Sequence, residues 1–154
     1  MKIAKGVAAG VAAASVLFSM SANAGEGMSQ SEKLRRLDIM LMVTGLRCRN
    51  GPDNFQPDYG RFTTNHIGTL NAASNSMKAD LSRRHGAAGA NRALDKLSVK
   101  MANQYGQGHP WLSCAQLKQV TRTLADMRGV EPLVAAADEL LADSRPRQLA
   151  WLRK

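Results

Sequence analysis

The chain has 154 residues, with 21 Lys and Arg against 12 Asp and Glu, a formal charge of +9 and a pI near 10.2. That length excludes a two-domain enzyme and a (β/α)8 barrel, which takes roughly 200 residues or more, and leaves room for one compact domain. Aromatic residues make up only 5% and no stretch alternates apolar and polar residues for long, which argues against a sheet and for helices.

Residues 1–24 read as a secretory signal peptide. Lys2 and Lys5 form a positive start, Val7 to Ser19 is small and apolar, and Ala22-Asn23-Ala24 fits a small-x-small cleavage site before Gly25. The apolar run of about 13 residues falls short of the roughly 20 that a permanent membrane helix takes. The expected location is therefore periplasmic or secreted. Cleavage leaves 130 residues with 19 basic and 12 acidic groups, a charge of +7. The organisation expected is a signal peptide over 1–24, a helical domain over 25–144 and a basic tail over 145–154, which includes Trp151.

The expected first helix spans about 31–46, with Ser29 and Glu32 at capping-box spacing. Its run Ile39-Met40-Leu41-Met42-Val43 is apolar on all sides, as suits a central, buried helix. Asn50-Gly51-Pro52-Asp53 is a turn. A second helix begins near Phe55 or just after Pro57 and runs to about Arg84, on a stripe of Phe55, Tyr59, Phe62, His66, Leu70, Ala73, Met77 and Leu81. Gly86 stops it from the C′ position. A third helix covers about 87–105, with Ala90, Leu94, Leu97, Met101 and Tyr105 on one face. Ser113 and Gln116 box the start of a fourth, whose stripe is Leu117, Val120, Leu124 and Met127. Gly129 ends it, and Glu131-Pro132 opens a fifth with Leu133, Val134, Ala137, Leu140 and Leu141. The expected fold class is all-α, a small bundle of four to five helices.

Cys48 and Cys114 are the two cysteines. In an exported chain an even pair is most simply a disulfide. It would tie the end of the first helix to the start of the fourth, 66 residues apart. On the loop-entropy model it contributes ~4 kcal/mol. No Cys-x-x-Cys spacing points to redox work.

The candidate site is the loop Gly106, Gln107, Gly108, His109, Trp111, for a ligand or partner. Its glycines free the backbone, Pro110 holds His109 extended, and Trp111 offers a large amphipathic ring. The same residues also fit a purely structural role, with Gly108 making the turn, Pro110 starting the helix and Trp111 plugging the bundle. No catalytic or metal residues are assigned and no cofactor is expected. His66, His85 and His109 have no second ligand at helical spacing, and there is no Gly-x-Ser-x-Gly elbow.

Charge is uneven. Residues 33–100 carry 12 basic and 5 acidic groups, and residues 101–144 carry 3 and 5. The positive part suits an acidic periplasmic protein or an anionic envelope surface. Nucleic acid would also be attracted but is rarely met outside the cell. The expectation is a binding or interaction protein, the alternatives being a small enzyme or a metal, haem or small-ligand binder using the 106–111 loop, and an anionic membrane-surface binder.

Residues 36–49 (RLDIMLMVTGLRCR), Asp53-Asn54-Phe55-Gln56, Arg61-Phe62, 84–90 (RHGAAGA) and 105–112 (YGQGHPWL) together resemble a family of small exported proteins of sphingomonad-type alphaproteobacteria. The resemblance covers about residues 33–124. It implies export and brings no activity with it. Some members bear the name S-adenosylhomocysteine hydrolase, a large Rossmann-type NAD enzyme. Gly86, Gly89, Gly106 and Gly108 do not form that fold's Gly-x-Gly-x-x-Gly fingerprint.

Overall fold

The computed structural model describes residues 27–143. The expected signal peptide over 1–24 and basic tail over 145–154 lie outside the described residues. Within them the chain forms α1 (Gln30–Arg47), α2 (Gln56–Gln104), α3 (Cys114–Asp126) and α4 (Val130–Leu140), and no strand. The all-α bundle is as expected.

Helix α1 starts at Ser29, whose hydroxyl accepts from the Glu32 N–H at 3.1 Å. The reciprocal half of the capping box is not used, because the Glu32 carboxylate turns to Arg36 instead. Packing against α2, α3 and α4 confirms α1 as the central rod. It is not buried all round as its apolar run suggested: Ile39, Met40 and Leu41 are buried, whereas Met42 is 39% and Leu46 46% exposed.

Helix α2 is broken at Gly86, whose φ of 70° and ψ of 163° lie in a region that only glycine occupies without strain. Gly86 therefore stops a helix as its C′ position implied, but not in the usual left-handed helical conformation. The arms are 56–85 and 87–104. Met77 and Met101 meet in one buried cluster with Ile39. In an unbroken helix they would stand about 36 Å apart, so the second arm folds back along the first. The first arm starts beside the C-terminal end of α1, where the Phe55 ring lies 3.4 Å from the place a Cβ on Gly45 would take. It then passes the N-terminal end of α1, where Gln30, Ser31, Ala72 and Ser76 line one groove, before reaching Gly86.

Helix α3 begins at Cys114 with a complete capping box between Ser113 and Gln116. Pro110 does not start it and stays exposed in the loop before it. Gly129, at φ 88° and ψ 163°, repeats the Gly86 conformation between α3 and α4. The main core gathers Leu37, Met40 and Leu41 with Phe55, Phe62, Leu117, Leu124, Leu133 and Leu140. The Cys48–Cys114 bridge is present, with Cα atoms 5.7 Å apart.

Candidate functional site

The loop singled out in the sequence is held from within. His109 is 9% exposed, and its Nδ1 accepts from the backbone N–H groups of Trp111 and Leu112 at 3.3 and 3.2 Å. Nδ1 is thus the acceptor and Nε2 carries the proton, which it donates to the Leu140 carbonyl at 2.9 Å. Burial pushes its pKa below the ordinary 6.5, against the opposing effect of that hydrogen bond. Trp111 lies edge-on to the imidazole at 4.6 Å and donates its Nε1–H to the Ala142 carbonyl at 3.0 Å. The final turn of α4 has no basic residue of its own. Its last carbonyl, that of Leu140, is thus satisfied by a histidine from the loop, while the tryptophan holds the Ala142 carbonyl just past the C-cap Leu141. Gly108, at φ 107°, makes the turn and packs under Arg47, which reaches the Gly106 carbonyl at 3.4 Å. Gly106 and Gln107 are exposed. The structure thus brings His109, Trp111 and Gly108 together, but aims their polar atoms at the protein's own backbone.

His66 does the same for α3. Its ring nitrogen donates to the Leu124 carbonyl at 2.8 Å, while Asn65 donates to Ala125 at 2.9 Å. Sequence reading gave His66 a place in an apolar stripe and missed this role. An Asn-His pair entering such a stripe is the signal that could have raised it.

A second polar cluster ties α1 to both arms of α2. Tyr59 donates its hydroxyl to Asp38 at 2.9 Å, and Arg35 approaches Asp38 at 3.6 Å and donates to Ser98 at 3.3 Å. Burial raises the pKa of Asp38, opposed by the Tyr59 hydrogen bond and the Arg35 charge. Burial, then the Asp38 carboxylate, raises that of Tyr59, so its hydroxyl keeps its proton and shares it with Asp38 as a hydrogen-bond donor. These groups cross-brace the helices.

A different place holds side chains that nothing engages. Between the arms of α2, just past Gly86, lies an open cleft of about 700 Å3. Its rim carries Arg84, His85, Arg92, Lys96 and Lys100, and Leu81, Gly89, Ala93 and Leu97 complete its lining. No carboxylate lines it. On α1 and α3 the cations have partners: Lys33 meets Asp138 at 2.7 Å, Arg122 meets Asp58 at 3.1 Å, Arg36 meets Glu32 and Lys118 donates to the Pro52 carbonyl, whereas Arg49, Lys78 and Arg128 stand singly and exposed, away from any groove of like charge. At the elbow only Arg83 is paired, with Asp80. Arg84, Arg92, Lys96 and Lys100 make no hydrogen bond or ion pair among the described residues. Sequence reading registered the positive charge of this part of the chain without the groove that collects it.

Among the described residues no three His, Cys, Asp or Glu side chains converge as metal ligands, and no helix is long and apolar enough to cross a membrane. Comparison with protein families, with curated proteins and with solved structures finds no match to this chain.

Proposed function

We propose that the protein acts by binding, as an exported helical protein that presents a basic surface to an anionic partner. The carrying observation is the division among its cations. Those of α1 and α3 brace the bundle, while four on α2 line one groove with no counter-charge. A helical hairpin gains nothing in stability from four unpaired like charges around one cleft, since they repel one another. The sequence resemblance to exported proteins and the disulfide support a place outside the cytosol. The 106–111 loop enters this reading as a support for α4 and not as the contact surface.

The test is retention on an immobilised polyanion such as heparin, used as a charge probe. Retention should be firm at low salt and fall steeply toward ~0.5 M, where the Debye length drops to a few ångströms. Elution at the lowest salt would overturn the reading.

A further inference from the structure

We propose that the elbow cleft of α2 is a seat for the phosphate headgroups of an anionic phospholipid surface, with the hairpin tip resting in the headgroup layer. This rests on the reading above and names the partner of the same site. Three observations select lipid.

The first is the arrangement of charge. Arg92, Lys96 and Lys100 follow one another at four-residue steps along one arm, a row about 12 Å long. Arg84 and His85 face it from the other arm. A single inorganic phosphate would meet only part of that row, whereas adjoining headgroups in a membrane surface can fill it. Of the nearby carboxylates, Asp80 is already paired with Arg83 and Asp95 is exposed on the second arm, so the elbow stays positive.

The second is the lining. Leu81, Ala93 and Leu97 place apolar surface beneath the charged rim. Lysine and arginine stems lie along such surface while their heads reach phosphate, and the same surface suits the glycerol and first methylenes of a lipid. Val99, 59% exposed, adjoins Lys96 and Lys100 on the same arm. No Phe, Tyr or Trp lines the cleft, whose one ring is the His85 imidazole. A nucleic-acid groove would want aromatic rings for base stacking, and a protein interface would want them as anchors.

The third is position. Residues 83–88 are all exposed, and Gly86-Ala87-Ala88 at the turn is small and uncharged. The tip therefore projects past the N-terminal end of α1, and the only bulky exposed side chains on it are Arg83, Arg84 and His85, the last two of which line the cleft.

The experiment is co-sedimentation with phosphatidylglycerol vesicles and, separately, phosphatidylcholine vesicles. It uses the chain without residues 1–24, the expected signal peptide, since the buried core of the described residues runs from Leu34 to Leu141. Binding is expected to the anionic vesicles alone. The triple variant Arg92→Gln, Lys96→Gln, Lys100→Gln should partition on the order of 100-fold more weakly. The variant Arg49→Gln, Lys118→Gln, Arg128→Gln removes the same charge away from the cleft and should lose only a few-fold. All six residues lie at or near the surface, and helical circular dichroism checks that each variant folds. Equal losses in the two variants would overturn the cleft as the seat. Failure of the parent protein to bind phosphatidylglycerol, with heparin retention intact, would overturn the lipid inference and leave the anionic-partner reading standing. Failure on both probes would overturn both.

Discussion

His109 illustrates how a residue that looks available in a sequence is committed in the fold. Its Nδ1 accepts two backbone N–H groups and its Nε2 donates to Leu140, so the neutral ring is the form that fits. A second proton would fall on Nδ1 and face two donors. With its pKa lowered in the folded state, His109 binds a proton more readily when the chain is unfolded. The stability from the neutral ring is therefore complete above about pH 6.5 and drains away as pH falls through the window below it. His109→Gln should cost ~1–3 kcal/mol near neutrality, because buried backbone groups lose their partner. The gap between parent and variant, read by urea unfolding at a series of pH values, should narrow as the solution is acidified from about pH 8 to about pH 5. A gap that widens would mean the ring is charged in the folded protein.

At the level of elements, Gly86 ends the first arm of α2, whereas Gly129, expected to end a helix, instead caps the start of α4, two residues past the Met127 that closes α3. Gly86 and Gly129 share nearly the same backbone angles, in a region where a Cβ is strained whatever space surrounds it. Gly86→Ala should destabilise by ~1–3 kcal/mol although nothing lies within 4 Å of the added methyl. Gly68→Ala, inside the first arm of α2 with equally open space, should instead stabilise by up to ~1 kcal/mol through helix propensity. Opposite signs in chemical denaturation separate backbone strain from loss of packing. The stops, caps and stripes of these helices were legible in the sequence because each depends on residues three or four apart. Phe62, His66, Leu70, Ala73, Met77 and Leu81 are all buried, as their spacing required. What depends on distant residues was not legible. The target of His109 is a carbonyl 31 residues on, and that of His66 is 58 residues on. Arg84 and Lys100 line one groove only because the second arm folds back, which follows from the angles of Gly86 and from no local pattern.

In the whole molecule, the covalent restraint and the cleft that gathers unpaired cations lie at opposite ends of α1. Cys48 and Cys114 lock the C-terminal end of α1 to the start of α3, and all of α2 lies in the loop between them. The elbow, with its unpaired cations, sits past the other end. The bridge lies outside the elbow cleft, and within the folded chain α1 and α2 hold each other through Tyr59, Asp38 and Arg35 as well as through the core. Its loss should therefore act mainly on the unfolded chain, where closure of a 66-residue loop is no longer enforced. The double variant Cys48→Ser, Cys114→Ser should lose ~4 kcal/mol of unfolding free energy relative to the oxidised parent. It should keep the helical circular dichroism spectrum and the salt-dependent retention on heparin wherever it remains folded. Parent protein unfolded under reducing conditions should match it. A loss of stability accompanied by loss of retention in still-folded protein would show that the bridge shapes the elbow, and a midpoint in urea unchanged by reduction would show that the loop ends are held together without it.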